Sequence, residues 1–368
     1  MRDLVFEREL LCILYSMKVR IISIIYLLGL REITGLMFAR SLKHPCRSTS
    51  VLAQLTRSAI PRNIATVTDV SGIREIIKEE KLKGKAVTFV PTMGALHAGH
   101  ISLVDAAKAH TPSSSSGTYT IASIFVNPTQ FAPGEDLDKY PRTLDDDLKK
   151  LERAGVDLVF LPTVETMYGD DTVRGIVHVE PSGLNATAEA IARPQFYRGV
   201  ATVVTKLLNI VQPDIAYFGQ KDAGQCVCIR SLVRDLCIPT DVVIVETMRE
   251  MDGLAMSSRN AYLSQEERAV ASVVYQSLSK GKAAYNTAAP SRRVGDVVAT
   301  VEQSLRKEPM VSKIEYISAA SPHDMRELEK DEEIGEEGAV LSTAVKVGSV
   351  RLIDNVLLGG AEGWTDVK

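Results

Sequence analysis

Short apolar segments alternate with amphipathic ones between Ile64 and Glu246, and this alternation most constrains the fold. Segments of only five to seven residues are too short for buried helices, but they fit strands that are buried on both faces. The predicted strands are AVTFV (86–90), IASIFV (121–126), VDLVFLP (156–162), DIAYFG (214–219) and DVVIVE (241–246). Strands of this kind, separated by helices, form a mostly parallel sheet that helices cover on both sides. We therefore predict an α/β fold.

The amphipathic segments predict the helices. In SGIREIIKEE, Ile73, Ile76 and Ile77 recur at helical spacing, and Ser71 is a candidate cap. The clearest helix is GVATVVTKLLNIVQP, whose apolar stripe ends before Pro213. Further helices are predicted for HISLVDAAKAH, for AGQCVCIRSLVRDLC and for TLDDDLKKLERAG, which Gly155 closes. The segment IVHVE (176–180) is a candidate for one more strand.

Composition changes on both sides of this region. Beyond Ala255, helices rich in charge are followed by KIEYISA and AVLSTAVKVGSVRLIDNVLL, which predict a smaller α+β domain. We therefore predict a leader at 1–62, a nucleotide-binding domain at 63–255 and a C-terminal domain at 256–368. Within these, LEKDEEIGEEG predicts an exposed acidic turn and TPSSSSGT (111–118) predicts a surface loop.

The leader has two contrasting parts. Its apolar segment VRIISIIYLLGL (19–30) is shorter than the ~20 residues that a membrane span needs, so we expect no stable membrane insertion. Residues 37–68 contain several Arg and Lys, many Ser and Thr, and no acid, which is typical of a mitochondrial transit peptide. We expect a cytoplasmic or mitochondrial protein. Two alternatives stay open: residues 1–62 are a disordered leader without a targeting signal, or their upstream part is an artefact of gene prediction.

Charge and cysteine content exclude two classes of protein. The net charge of −3 gives no reason to expect a nucleic-acid partner. Five unevenly spaced cysteines argue against a disulfide framework. Cys226 and Cys228 point apart on a helix, so we interpret them as core thiols and not as a metal site.

Polar clusters follow several predicted strands. PTMGALHAGH (91–100), NPTQF (127–131) and GQKD (219–222) lie at or just past strand ends, and MSSRN (256–260) follows the last strand by about ten residues. Ligands of parallel α/β sheets bind beyond the carboxyl ends of the strands, so we expect these clusters to share one rim.

The chemistry of these clusters suits a nucleotide beside a small polar substrate. His97 and His100 share a face in the first turn of a helix, where free N–H groups favour an anion. Phosphate binding is our leading interpretation of this pair, and a packed core pair and a zinc site are the alternatives. Lys221 can supply a charge for phosphate, and Asp222 can accept a hydrogen bond from a ribose hydroxyl; a surface salt bridge between the two is the alternative.

Further groups extend this site. Ser257, Ser258 and Arg259 suit a polyphosphate tail, with a plain loop as the alternative. Gln130 and Gln225 can hold hydroxyls or a carboxyl group, although each alone would be read as an ordinary surface residue. The chain has neither G-x-x-x-x-G-K-[ST] nor G-x-G-x-x-G, which disfavours P-loop and dinucleotide-binding proteins. It also lacks G-x-S-x-G, which disfavours a hydrolase.

Five blocks in one order resemble the pantothenate synthetase (pantoate–β-alanine ligase) family, with a fungal-like loop at Ser113–Ser116. The blocks are PTMGALHAGHISLV, SIFVNPTQF, YPRTLDDDL, RGVATVVTKLLNIVQPDIAYFGQKD and DGLAMSSRNAYLS. The segment VGSVRLIDNVLL also resembles the C-terminal end of that family. H-x-G-H after the first strand is similar to the nucleotidylyltransferase superfamily, so the resemblance implies its Rossmann-like sheet. Phe196 stands where many bacterial members carry His, and Ala190 where Gly is usual.

The resemblance implies a reaction of pantothenate and coenzyme A biosynthesis. ATP and (R)-pantoate form pantoyl adenylate and diphosphate, and β-alanine then displaces AMP to give pantothenate. The family uses Mg²⁺ and usually works as a homodimer. The alternative is another nucleotidylyltransferase, which would need a basic acceptor pocket where Gln130 and Gln225 stand. A tRNA ligase would need a basic RNA-binding domain, and a non-catalytic binding protein is disfavoured because His97, His100 and Lys221 are all present.

The resemblance also assigns residues. His100 is the implied proton donor, with His97 and Lys221 as the other catalytic groups. The implied ATP contacts are Met93, Gly94, Ala95, Leu96, His97, Ala98, Gly99, His100, Gly219, Gln220, Lys221, Asp222, Met248, Met256, Ser257, Ser258 and Arg259. Pantoate is assigned to Met93, Gln130 and Gln225, β-alanine to Gln130, and Mg²⁺ to Asp146. Asn127, Glu189 and Arg193 match further pocket positions.

Overall fold

A computed structural model describes residues 64–110, 112–169, 177–287 and 292–367 of the chain. All of these residues belong to one compact unit. The predicted leader at 1–62 lies outside the described residues, as does its apolar segment. In the part that is described, no helix is both long and apolar enough to cross a membrane.

Six parallel strands form the central sheet, and the apolar segments predict five of them but not the short first strand. They are β1 (Ala65–Val67), β2 (Ala86–Thr92), β3 (Thr118–Ile124), β4 (Leu158–Phe160), β5 (Ile215–Gly219) and β6 (Asp241–Val245). Their spatial order is β1-β4-β3-β2-β5-β6, and every neighbouring pair is parallel. The candidate strand at 176–180 is wrong, because its described residues 177–180 pair with no strand.

Seven helices are described between the start of the sheet and the end of β6. They are α1 (Val70–Leu82), α2 (Ala98–Ala109), α3 (Leu144–Ala154), α4 (Val164–Tyr168), α5 (Ala188–Ala192), α6 (Phe196–Val211) and α7 (Ala223–Asp235). The cap of α1 is Asp69 and not Ser71, because the Asp69 carboxylate accepts from Gly72 N at 2.8 Å. Gly155 ends α3 with φ of 75°, as predicted.

Alternate residues of the strands face two different helical layers. Val87, Phe89 and Ile121 pack with α1, α6 and α7 on one face. Val90 and Ala122 pack with α2 and α3 on the other. Both faces are therefore buried, which explains why the strands are apolar without alternation. Cys226 and Cys228 lie buried in the first of these layers, so the prediction of core thiols is confirmed.

The C-terminal residues form an antiparallel sheet with its own core. The elements are α8 (Gln265–Val270), α9 (Val273–Thr287), α10 (Val294–Leu305), β7 (Val311–Ala320), β8 (Ala339–Val347) and β9 (Val350–Leu358), with strand order β7-β8-β9. Their core begins at Leu254, while the segment after β9 returns to the parallel sheet, where Glu246 N donates to Val367 O at 2.9 Å. The domain boundary at 255/256 stays a prediction.

The strand order reverses direction at the centre of the parallel sheet. β2 pairs with β3 on one side and with β5 on the other. The chain segments that follow β2 and β5 therefore lead to opposite faces of the sheet, and they leave a crevice beyond the two strand ends. α2 begins shortly after β2, and the turn Gln220–Asp222 comes directly after β5. The polar clusters predicted for one rim begin at this crevice.

We expect Gly199→Ala to destabilise the protein by about 1–3 kcal/mol. A Cβ at Gly199 in α6 would lie 2.5 Å from Thr129 O and 2.7 Å from the Cα of Gln130, so the backbone would have to move. The matched control is Gly183→Ala, whose Cβ would have no atom within 4 Å. Chemical unfolding of both variants measures the difference. An equal free energy of unfolding for the two would contradict the packing.

Candidate active site

A cavity of about 820 Å³ opens at the crevice beyond β2 and β5. The structure brings sixteen of the predicted site residues to its wall, although they come from segments far apart in the chain. They are Met93, His97, Gly99, His100, Asn127, Gln130, Arg193, Gly219, Lys221, Asp222, Gln225, Met248, Met256, Ser257, Ser258 and Arg259. The prediction that four polar clusters share one rim is thus confirmed.

Other predicted residues lie elsewhere. Gly94, Ala95, Leu96 and Ala98 are not on the wall of the cavity. Gln220 is buried, and its Nε2 donates to Asn355 Oδ1 at 3.0 Å. Asp146 does not line the cavity either: its side chain is 62% exposed and pairs with Lys150 at 2.6 Å. The helical turn directs Asp146 to solvent, so the geometry gives no support to its assignment to Mg²⁺.

The two imidazoles form a reciprocal cap at the start of α2. His97 Nδ1 accepts from Gly99 N at 3.1 Å, and His100 Nδ1 accepts from His97 N at 3.3 Å. An imidazole nitrogen that accepts a hydrogen bond carries no proton. We therefore assign the proton of both neutral rings to Nε2, where each ring is a hydrogen-bond donor. The ring centroids are 4.1 Å apart, and both side chains line the cavity.

Both rings are neutral at pH 7. Burial, followed by the charges of Lys221 and Lys150, lowers the pKa of His97 to about 4. Burial, the neighbouring His97 and Lys221 lower the pKa of His100 to about 3. His97, His100 and Lys221 line the same cavity, so the cluster after β5 faces the cluster after β2. A neutral imidazole in such a place offers a directed N–H group without the cost of a buried charge.

Asn355 of β9 holds the turn that carries Lys221. Its Nδ2 donates to Gln220 O and to Lys221 O, both at 3.0 Å, and its Oδ1 accepts from Gln220 Nε2. Asn355 is buried, so these bonds are shielded from water. The Lys221 ammonium is only loosely paired, at 3.7 Å from Asp222. The C-terminal sheet therefore positions the backbone of Lys221 and leaves its charge facing the cavity.

The serine–arginine loop contacts the opposite wall of the cavity. Ser258 Oγ donates to Ala95 O at 3.0 Å. The Arg259 guanidinium binds both carboxylate oxygens of Asp136, at 2.8 and 2.9 Å, through Nε and Nη2. Burial opposes ionisation of Asp136, but the hydrogen bonds and charge of Arg259 lower the pKa of this carboxyl below its usual value. This pair ties the segment after β3 to the loop after β6.

Gln130 is oriented by its neighbours. Asn127 Nδ2 donates to Gln130 Oε1 at 3.0 Å, and Gln130 Nε2 contacts Met93 Sδ at 3.4 Å. Tyr168 OH in turn donates to Asn127 Oδ1 at 2.7 Å. Gln225 lines the same cavity from α7. The two glutamine side chains predicted to hold a small polar substrate are therefore parts of one wall.

A chain of ion pairs crosses the floor between the two sheets. Arg193 binds both oxygens of Glu135 at 2.7 and 2.9 Å and contacts Glu189 at 3.3 Å. Arg351 of β9 binds the other oxygen of Glu189 at 2.6 Å and Glu315 at 2.7 Å. Because every acid in this chain of pairs has an arginine partner, the buried charges are compensated.

Among the groups that build the site, sequence reasoning missed Asp136, Asp147, Lys150, Gly199 and Asn355. Asp147 carried a detectable signal. It lies four residues before the buried Leu151, on the apolar face of α3, where an acid is unexpected. Asp136, Gly199 and Asn355 act through partners more than 65 residues away, and the sequence does not reveal such pairings.

The candidate site offers little for a metal bound by protein alone. Within the described ranges, no group of three or more His, Cys, Asp or Glu side chains is arranged to hold an ion. The zinc alternative for His97 and His100 therefore finds no third ligand among these residues. Their Nδ1 atoms are already engaged with backbone N–H groups.

A parallel sheet with two imidazoles and a lysine at its reversal point defines a nucleotide-binding α/β protein of the nucleotidylyltransferase type. Residues 65–357 match the profile of the pantoate-beta-alanine ligase family. The pantothenate synthetase of Chloroflexus aggregans is 52% identical over 270 residues, which are 73% of this chain and 92% of that protein. The chain therefore belongs to the pantoate–β-alanine ligase family, which confirms the resemblance in its motifs.

Solved structures agree with this assignment. The crystal structure of pantothenate synthetase from Thermus thermophilus has a TM-score of 0.69 and 39% identity, covering 80% of this chain and 99% of that one. The pantoate-beta-alanine ligase from Francisella tularensis, complexed with beta-gamma ATP and beta-alanine, has a TM-score of 0.63 and 31% identity, covering 80% and 97%. The predicted fold class is confirmed.

We expect His97 and His100 to stay neutral, with the proton on Nε2, down to about pH 5. Their pKa values of about 4 and 3 lie below the usual value near 6.5. Stability from these rings is fully present above pH 6.5. It falls as the pH drops toward 4, because the unfolded chain binds protons first. Long-range ¹H–¹⁵N spectra of histidine-labelled protein report both protonation and tautomer. Titration of either ring near pH 6.5 would contradict the account.

Proposed function

We propose that this chain condenses (R)-pantoate with β-alanine by way of a pantoyl adenylate. Membership of the family makes the chain a pantoate–β-alanine ligase that uses ATP. The adenylate route is the part that we add. One observation carries it: two neutral N–H donors and one ammonium converge on a cavity that also holds two glutamine amides. This set suits a phosphate beside a small substrate that carries hydroxyl groups.

In the first step a pantoate carboxylate oxygen attacks the α-phosphorus of ATP. The new bond is between carboxylate oxygen and phosphorus, and the bond to the β-phosphate oxygen breaks as diphosphate leaves. Negative charge grows on the α-phosphate oxygens in the transition state. Nε2–H of His97, Nε2–H of His100 and the Lys221 ammonium are preorganised donors for this charge. The imidazoles provide hydrogen bonds of fixed direction to the phosphate oxygens, and Lys221 provides a positive charge.

Diphosphate departure needs stabilisation at the far end of the triphosphate. Ser257, Ser258 and Arg259 line that part of the cavity in our assignment. The pair with Asp136 uses Nε and Nη2 of Arg259, so the hydrogens of Nη1 are the ones we assign to phosphate. His100, the implied proton donor, has a low pKa in the free protein. Bound phosphate must raise this pKa before the ring can act as an acid.

In the second step the amine of β-alanine attacks the acyl carbon. The C–N bond forms and the acyl C–O bond breaks, so AMP leaves with the oxygen that joined the acyl carbon to phosphorus. The proton that the nitrogen loses passes to water. Gln130 is fixed by Asn127 and Met93, and Gln225 faces the same space, so both can hold hydroxyl and carboxyl groups of the acyl chain. An amide is suited to this task because it both donates and accepts.

The residues present fit Mg²⁺ only as an ion carried by the nucleotide. Mg²⁺ is commonly held by substrate phosphates, water and one or two carboxylates. Four carboxylates at the cavity are bound by arginines, namely Glu135, Asp136, Glu315 and Asp354. The other carboxylates on the cavity wall are Asp138, Asp222 and Glu246, and we assign Mg²⁺ to Asp222 because its side chain is 40% exposed and stands beside Lys221. When bound, Mg²⁺ would neutralise part of the negative charge of the phosphates.

Two further expectations rest on the family resemblance and on composition. We infer a homodimer, which sedimentation of the purified chain can test. We also infer a mitochondrial or cytoplasmic location from the acid-free segment 37–68. A fluorescent fusion with and without residues 1–62 distinguishes the two compartments.

The adenylate route predicts that the purified chain releases diphosphate from ATP with pantoate alone. The quantity of diphosphate released approaches one mole per mole of enzyme, because the adenylate stays bound when no amine is present. AMP and pantothenate appear only after β-alanine is added. A coupled diphosphate assay and chromatography of the nucleotides measure both phases. Formation of ADP, or a strict need for β-alanine in the first phase, would rule out this route.

We expect Lys221→Ala to slow adenylation by more than ~100-fold, because the substitution removes a preorganised charge at the reacting phosphate. Pantoate-dependent exchange of labelled diphosphate into ATP measures this step by itself. Lys313→Ala is the control, since Lys313 is exposed on β7 and has no side-chain partner among the described residues. Normal exchange in Lys221→Ala, with loss only of amide formation, would show that Lys221 serves the second step.

A further inference from the structure

The turn before the two imidazoles has an unusual backbone. Gly94 and Ala95 have φ values of 82° and 50°, both in the left-handed region. Glycine adopts this region readily, but alanine does so only when its surroundings compensate the cost. His97, the cap of α2, comes two residues after Ala95. Whatever holds this turn therefore also sets where the two rings lie.

Asp147 in the first turn of α3 holds both N–H groups of the turn. Its Oδ2 accepts from Ala95 N at 2.8 Å, and its Oδ1 accepts from Leu96 N at 2.7 Å. The side chain is 1% exposed. Across the described ranges, no Lys, Arg or His nitrogen lies within 4 Å of this carboxylate, so backbone amides and the Thr143 hydroxyl balance its charge. Hydrogen bonds to an ionised acceptor are the stronger kind.

Two more side chains hold the carbonyl groups of the same turn. Ser258 Oγ donates to Ala95 O at 3.0 Å, and Lys150 Nζ donates to Leu96 O at 2.7 Å. All four backbone polar groups of Ala95 and Leu96 are thus bound by side chains, and two of the four by one carboxylate. Leu96 is buried and Ala95 is half-buried, so protein groups and not water must satisfy most of this backbone, and Asp147 alone satisfies both N–H groups.

We propose that Asp147 is the positioning residue for His97 and His100. It does not line the cavity, so it touches no substrate and is not a catalytic residue. It acts through the backbone: fixing Ala95 and Leu96 fixes the start of α2, where His97 N donates to His100 Nδ1. A Cβ at Gly94 would lie 3.0 Å from Ile124 Cγ2 and 3.2 Å from Asp147 Oδ2, so close packing adds to the φ of 82° in favouring glycine there. The proposal rests on the proposed function.

The variant Asp147→Asn tests this inference. Asparagine has the same size as aspartate, but an NH₂ group replaces one carboxylate oxygen. Two hydrogen-bond donors then face each other, and one bond to the backbone N–H groups of the turn is lost. We expect diphosphate exchange to slow by about 10- to 100-fold through misplaced rings. The kcat/KM for β-alanine stays unchanged, because this ratio reports only the second step and the change affects the first. The control is Asp145→Asn, which removes a charge from the same helical turn at an exposed residue and leaves exchange unchanged.

A spectroscopic readout separates positioning from mere stability. In histidine-labelled Asp147→Asn we expect the ¹⁵N shifts of the His97 and His100 rings to change. In Asp145→Asn they keep their wild-type values. Should Asp147→Asn not fold, Thr143→Val removes one hydrogen bond to the same carboxylate, and we expect a smaller slowing of exchange in the same direction.

The experiments distinguish failure of the positioning role of Asp147 from failure of the proposed adenylate route. If the wild-type chain shows no pantoate-dependent exchange, the adenylate route fails, and the ring spectra still decide the role of Asp147. Wild-type exchange and unchanged spectra in folded Asp147→Asn would overturn the positioning role. So would equal losses in Asp147→Asn and Asp145→Asn, because they would trace the effect to the charge of the helical turn.

Discussion

The reversal of strand order between β2 and β5 is the constraint on which the rest of the structure depends. Parallel strands that are neighbours in space but distant in sequence bring 91–100 and 219–222 to one crevice. Burial on both faces of the sheet makes this frame rigid, since Phe89 and Val90 pack into opposite layers. The two imidazoles and Lys221 meet only because of this pairing. Their mutual electrostatics follow, as Lys221 lowers the pKa of both rings.

Side chains from distant elements then fix the two loops at the crevice. Asp147 and Lys150 of α3 hold the backbone before His97, and Asn355 of β9 holds the backbone of Lys221. The C-terminal sheet is therefore part of the site's framework as well as a cover. The arginines at the cavity bind acids of the protein, in pairs such as Arg193 with Glu135 and Arg259 with Asp136. Lys221 keeps only a loose contact with Asp222, so its charge remains available to a ligand.

The sequence predicted the architecture and the rim well, because periodicity and strand-end motifs are local signals. The five apolar segments became strands, and the two histidines became a helix cap. The sequence predicted less well which of two nearby residues caps a helix and which apolar segment joins a sheet. Asp69 displaced Ser71 as cap, and residues 177–180 joined no sheet. In the DDD run of α3, the register of the helix buries Asp147 and exposes Asp146, a difference that composition does not show. Long-range partners such as Asn355 and Gly199 emerge only from the fold.

The central claim is that a carboxylate oxygen reaches the innermost phosphorus of ATP at the imidazole pair. Transfer of isotope from pantoate labelled with ¹⁸O in its carboxylate tests this claim most directly. The account predicts that, after one full turnover with β-alanine, AMP carries one ¹⁸O atom and diphosphate carries none, as mass spectrometry of the two products would show. Label in diphosphate or inorganic phosphate, or AMP without label, would contradict it.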